Sequence, residues 1–263
     1  MILPFCKYHG AGNDFILIDN REGSFKLTSK QINQLCHRRF GVGADGLILL
    51  ERADAPYRYY MAFYNSNGTE GTMCGNGGRC LVAFADMSGI KDHHFLAIDG
   101  EHRASVLEKT ENNTLVKLQL GDVKEISKYK ENSYVAQTGS LHLVHIVPDV
   151  QAVDVHAEGS YWRHHSDFGA DGINVNFVEI LDQGCLFVRT FERGVEAETW
   201  ACGTGSVASA LVASVHTSSR LTHWNIQTKG GNLEVDFQPA GTGFQQVFLT
   251  GSAVLVFRGE AEL

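Results

Sequence analysis

Two stretches decide how this chain is read: Cys74-Gly75-Asn76-Gly77-Gly78-Arg79-Cys80 and Cys202-Gly203-Thr204-Gly205-Ser206-Val207-Ala208. Each places a cysteine before a glycine-rich turn. The first turn runs into LVAFADM and the second into VASALVASV, so each opens a predicted helix. Cys202 follows Cys74 by 128 positions (202 − 74). Working outward, Phe40-Gly41 opens FGVGADG and Phe168-Gly169 opens FGADGIN, again 128 apart (168 − 40). Near the start of each copy, Gly10 precedes FILID and Gly139 precedes LHLVHIV, an interval of 129 (139 − 10). Three landmarks in one order at nearly one offset mark an internal duplication. Two related domains of about 130 residues each follow, a usual domain size, the second beginning near Leu118 to Asp122.

Between the landmarks the texture is of short strands: Phe15 to Asp19, Gly46 to Glu51, Arg58 to Tyr64, Ala104 to Leu107, Leu115 to Leu120, Asn174 to Ile180, Cys185 to Phe191 and Val247 to Phe257. The segment after Gly203 is small or apolar on every side, and such a helix has to be enclosed. A third helix is predicted over Ser29 to Phe40, with Ile32, Leu35, Cys36 and Phe40 on one face. The predicted fold class is therefore α+β. Two pseudo-symmetric domains each carry a mainly antiparallel, barrel-like sheet around a buried central helix, with the active site expected in the cleft between them.

Composition sets the function classes. The 263 residues carry 22 basic and 30 acidic side chains, net charge −8, with no basic run, which argues against a nucleic-acid or anionic-membrane surface. With 43% hydrophobic residues the chain can bury a core. The 28 glycines against four prolines suggest backbone brought close to ligands or packed helices rather than flexible linkers. Six cysteines without a C-x-x-C pair do not make a disulfide scaffold, and MILPFCKYHG lacks the pattern of a signal peptide. A cytoplasmic location is expected. The run from Thr199 to Ser219 has no charged residue, but its glycines, threonines, serines and histidine make membrane insertion unfavourable.

The chemistry concentrates at Cys74 and Cys202. First-turn N–H groups of a helix have no partner within it, and the dipole adds partial positive charge. Both effects favour a thiolate and cradle a carboxylate. Two such sites acting on one substrate can invert a stereocentre: one sulfur removes the α-proton while the other delivers a proton to the opposite face. The helix-end amides would stabilise the charge developing on the carboxylate. Cys6, Cys36, Cys80 and Cys185 lack that context and read as buried hydrophobes.

Other motifs fail on context. Gly41 to Gly46 matches G-x-G-x-x-G, but a predicted helix precedes it and a strand follows, the reverse of a dinucleotide site. Gly203 to Ala208 opens a helix, yet no acidic residue lies between Thr199 and Leu233 to hold a ribose. The pairs His93-His94 and His164-His165, and His142 with His145, point to opposite sides of strands and give no metal signature. No cofactor or metal is expected.

GAGNDF, GADG, YNSNGTEGTMCGNGGRC, GINVNFVE and FERGVEAETWACGTGS together resemble diaminopimelate epimerase over most of the chain. The resemblance implies a PLP-independent enzyme that interconverts LL- and meso-2,6-diaminopimelate, feeding lysine and peptidoglycan synthesis. It makes Cys74 and Cys202 the acid/base residues, with Gly75-Asn76 and Gly203-Thr204 offering N–H groups to the reacting carboxylate. Asn13, Asn65, Ser140, Asn174, Glu192 and Arg193 fall where the family binds substrate, and His142 and Glu192 where it tunes the thiols. It also implies a homodimer, a first domain of residues 1–118 joined by a returning last strand, 252–263, and a second domain of 119–251.

Some positions depart from the family pattern. Its G-N-P-H reads Gly139-Ser140-Leu141-His142 here, a position often held by Gln is Gly46, and one extra residue lies between Arg193 and Cys202. Phe257 stands where relatives carry a tyrosine linked with dimerisation. The alternatives are a PLP-independent racemase of another amino acid such as histidine, a redox-sensitive thiol protein, and a catalytically silent amino-acid-binding protein.

Overall fold

The structure, a computed structural model, describes residues 2–182 and 184–263. The chain divides into two compact units. Unit 1 runs to Leu118 and adds Gly251–Leu263; unit 2 is Gln119–Thr250.

In unit 1, β1 (Ile2–Gly10), β2 (Asn13–Asp19), β3 (Gly46–Glu51), β4 (Tyr59–Asn65), β5 (His93–Ala97), β6 (Gly100–Lys109) and β7 (Asn113–Gln119) pair in chain order. The end of the last strand, β16 (Gly243–Glu262), pairs with both β7 and β1 and closes the ring. Among the described residues only β2–β3 and β4–β5 are parallel. A parallel step needs a crossover, and here each is a helix: α1 (Ser29–Cys36) and α2 (Gly75–Met87). Helix α1 lies outside, its Ile32, Leu35 and Cys36 packed on Leu3, Ile16, Ile18, Leu47 and Leu49. Helix α2 lies inside, buried from Gly75 to Asp86. Strands β2 and β3 are thus covered on both faces and read as unbroken apolar runs, FILI and LILL.

Unit 2 repeats the plan. Strands β8 (Ile126–Lys130), β9 (Ser133–Gln137), β10 (Leu141–Ile146), β11 (Asn174–Asp182), β12 (Cys185–Glu192), β14 (His223–Thr228), β15 (Gly231–Ala240) and the start of β16 follow one another in space, and short β13 (Ala197–Thr199) adds to β12. Its parallel pairs are β10–β11 and β12–β14, bridged by α3 (Val155–Arg163) and α4 (Gly203–His216). Helix α3 covers the outer face of β10–β12, packing Val155 with Leu143, Val175, Phe177 and Phe191. Helix α4 is enclosed, its turns from Val207 to Ser214 buried. The fold is α+β: two units of one plan, each a mainly antiparallel barrel-like sheet around a buried helix. Among the described residues no helix is long and apolar enough to cross a membrane.

Two expectations need correction. Helix α1 stops at Cys36, where His37 turns to an extended backbone, so Phe40 is 75% exposed and stacks on His37 rather than completing the apolar face. His164 and His165 sit not on a strand but at the end of α3, as its C-cap and the residue before a short 3-10 turn, Ser166–Phe168.

Candidate active site

Each central helix begins on its cysteine. Cys74 is the N-cap of α2 and Cys202 that of α4, both with extended backbones and neither making a side-chain capping bond. The first helical bonds are Gly78 N–H to Cys74 O (2.7 Å) and Ser206 N–H to Cys202 O (2.9 Å). The amides of the three residues between cap and donor therefore belong to no helical bond and lie at the end with positive dipole. The landmark glycines crowd these turns. A Cβ at Gly10 would lie 3.1 Å from Asn76 O, and one at Gly139 would lie 3.4 Å from Thr204 Cγ2.

In unit 1 the β1–β2 hairpin turns through Ala11 and Gly12, both at positive φ, so that Gly10 pairs with Asn13. This brings Asn13 to the start of α2. Its Oδ1 lies 3.6 Å from Cys74 Sγ and accepts from Asn76 Nδ2 at 3.4 Å, while its Nδ2 donates to Asp45 Oδ2 at 2.7 Å. Asp45, in the loop before β3, is bridged by Arg38 to Asp14, which also pairs with Lys7. Burial opposes ionisation of Asp14, but hydrogen bonds from Arg38 and Lys7 outweigh it and hold the carboxyl well below its usual range. The side chain of Asn65 bonds elsewhere. The residue ends β4 opposite Gly46, and its Nδ2 donates to Thr69 Oγ1 at 3.2 Å.

In unit 2 the polar groups form one network. Cys202 Sγ lies 3.5 Å from Thr204 Oγ1, which lies 2.9 Å from His142 Nε2. Ser140 Oγ is 2.9 Å from the same Nε2 and accepts from Asn174 Nδ2 at 3.2 Å. Asn174 Oδ1 in turn receives the backbone N–H of Arg193 at 2.9 Å. The far side of the imidazole is set by Asn176. With its Oδ1 accepting from Thr190 Oγ1, its Nδ2 faces His142 Nδ1 at 3.0 Å. Nδ1 must then be the acceptor, and Nε2 carries the proton. Burial, reinforced by the charge of Arg193, lowers the His142 pKa to about 3, so the ring is neutral near pH 7. The one Nε2–H has Thr204 Oγ1 and Ser140 Oγ within reach at 2.9 Å each, and Thr204 Oγ1 links the imidazole to Cys202 Sγ. Glu192 and exposed Arg193 follow at the end of β12.

Of the remaining cysteines, Cys6, Cys36 and Cys80 are buried as expected, whereas Cys185 is only partly buried. Burial pushes the thiol of Cys36 up to about 11 and that of Cys80 higher, and it also raises Cys6. Among the described residues no cluster of His, Cys, Asp and Glu could hold a metal ion. Gly41 to Gly46 joins α1 to β3, the order that excludes a dinucleotide turn.

Several members of the two groups were not singled out from sequence. Asp45 lies inside GADG, Asn176 is two residues beyond Asn174 and so on the same strand face, and Arg79 lies inside CGNGGRC. The hydroxyl of Thr204 joins the network in addition to the backbone N–H that the resemblance implies.

Comparison with known proteins agrees with the duplicated plan. The family model for diaminopimelate epimerase matches twice, over residues 5–126 and 134–256. A diaminopimelate epimerase of Flavobacterium psychrophilum is 43% identical over 258 residues, covering 97% of this chain and 98% of its own. One from Aquifex aeolicus is 37% identical, covering 98% and 97%. The fold is also that of a Bacillus anthracis phenazine biosynthesis protein of the PhzF family (TM-score 0.78, 12% identity, full coverage of both chains). A hydroxyproline epimerase from Agrobacterium vitis is similar as well (TM-score 0.71, 15% identity, covering 100% and 93%). Two helices capped by cysteine at one interval, in a chain alike from end to end, lead to one conclusion: it belongs to the diaminopimelate epimerase family.

Proposed function

We infer that this protein interconverts LL- and meso-2,6-diaminopimelate by two-base proton transfer at the α-carbon, with Cys74 and Cys202 as the acid/base pair. The observation that carries the reading is the pair of cysteine N-caps, one on each buried central helix, within a chain that matches the family throughout. One thiolate takes the α-proton as the C–H electron pair moves toward the carboxylate. The other thiol gives its proton to the opposite face, and the pair is left with its protonation exchanged. Amides of Gly75, Asn76, Gly203 and Thr204 hold the reacting carboxylate, where charge builds. Asn13, Asn65, Ser140, Asn174, Glu192 and Arg193 bind the substrate, Arg193 suiting the distal carboxylate. His142 tunes Cys202 through Thr204, and Glu192 is the second tuning group.

Units 1 and 2 are, in this reading, the two epimerase domains. A reducing cytoplasm suits six cysteines of which none forms a disulfide. A homodimer is supported by Ile2, Val256 and Phe257, apolar side chains exposed on β1 and β16, and sedimentation as a monomer would contradict it. The decisive experiment incubates the protein with LL-diaminopimelate in heavy water without added pyridoxal phosphate. Deuterium should appear at the α-carbon together with the meso isomer. Exchange into histidine, lysine or glutamate with none into diaminopimelate would instead select another amino-acid racemase.

A further inference from the structure

Arg79 is fully buried five residues after Cys74, in the second turn of α2. Its Nη1 donates to Gly75 O at 3.2 Å and its Nη2 to Asn76 Oδ1 at 2.7 Å, while Nε is buried without a partner. Among the described residues no carboxylate pairs with it. The charged groups on the elements around α2 are already matched. Asp14 on β2 has Lys7 and Arg38, Asp45 has Arg38, and Asp99, which accepts from Met73 N–H, has His102 of β6. On β1, His9 Nδ1 accepts from Gly12 N–H, and Tyr8 reaches Met87 at the far end of α2. Cys80, beside Arg79, is held as a neutral thiol by burial. Arginine keeps its charge even when buried, and an isolated buried cation is unfavourable. The other ionisable group that couples to it is the thiol of Cys74, the cap of the same helix.

A second observation concerns polarity. Arg79 occupies Asn76 Oδ1, so Nδ2 must face Asn13; Asp45 occupies Asn13 Nδ2, so Oδ1 must face Cys74 and Asn76. Charged groups at both ends thus fix two amides in a single orientation. The position matching Arg79 in the second copy is Val207, so α4 has no such charge.

We propose that Arg79 is a positioning residue for proton transfer at Cys74: its fork orients the Asn76 amide and its charge lies uncompensated in the helix that Cys74 caps. The proposal rests on the epimerase reading only for the role of Cys74. Its first test therefore needs no turnover. Iodoacetamide labelling of the whole protein over a pH series, read at each cysteine by peptide mass spectrometry, gives the pH midpoint of Cys74 with Cys202 as internal control. Arg79→Gln should raise the Cys74 midpoint by about one pH unit and leave that of Cys202 in place. Arg79→Lys should hold the Cys74 midpoint but lower turnover about tenfold, because one ammonium cannot grip both oxygens as the fork does. An unmoved Cys74 midpoint in Arg79→Gln, or an equal rise at both cysteines, overturns the proposal. Should Arg79→Gln not fold, full turnover by Arg79→Lys overturns it as well.

Discussion

A cysteine at an N-cap denies the helix the side-chain acceptor that Ser, Thr, Asp or Asn would supply, a sacrifice of about 1 kcal/mol. Helices α2 and α4 both make it, and the amides left over are the ones to which the proposed function assigns the carboxylate. Cys74→Ser and Cys202→Ser should each lower epimerisation by several orders of magnitude, since a serine hydroxyl is far too weak an acid for this exchange; near-normal rates in either variant would refute the pair. Thr204→Val keeps the backbone N–H and the shape but cuts the path from His142 to Cys202. Turnover should fall roughly ten- to hundredfold, the worth of a hydrogen bond to a charged group, and Thr204→Ser should restore it. These cysteines were legible in the sequence because the duplication singled them out. Arg79 was not, because one arginine among glycines looks solvated. Asn176 was missed because polar side chains inside strands carry no local signal; only the core around His142 gives it a task.

Strand β10 carries an uncharged histidine on each face. His142 faces Thr204 and Asn176, and His145 packs on Trp162 and Phe177 with its Nδ1 on Ser133 Oγ. Burial lowers His145 to about 4 and His142 to about 3, both below the ~6.5 of an unfolded histidine. Between those values the unfolded chain binds the extra protons, so stability is unaffected above pH 6.5 and declines as the pH falls below it. At pH 5 each histidine should have removed about 2 kcal/mol. Urea midpoints at pH 7 and pH 5 should differ accordingly, and His145→Phe should flatten the slope. A pH-independent midpoint over that interval would contradict the burial of both rings. At this scale the central helices and the twice-covered strands were legible, because an element enclosed on all sides is apolar on all sides. Helix α3 was not: VHAEGSYWR holds a mid-helix glycine, which weakens a helical pattern. Its reason lies in the packing, since a Cβ at Gly159 would fall 2.4 Å from Phe191 Cβ on β12. Strands β14 and β15 do carry a local signal, the alternation of half-buried strands, with Trp224 and Ile226, then Leu233, Val235 and Phe237, turned inward.

Across the whole chain, the duplication explains why one sequence interval organises both the fold and the chemistry. The departure from strict repetition is β16, whose start belongs to unit 2 and whose end completes unit 1. Deleting residues 258–263 removes the partners of Ile2 through Cys6 on β1. The shortened protein should unfold at a clearly lower temperature and aggregate on heating through the bare edge of β1; an unchanged melting curve would show that the ring need not close. The same pairing has a bearing on biosynthesis. Ile2 meets Glu262, so an early strand waits for a partner made 260 positions later (262 − 2). Until that segment has been synthesised, β1 carries an unsatisfied edge, and such long-range closure is slow. Unit 2, contiguous in sequence, can condense first, and unit 1 closes only when residues 251–263 reach it.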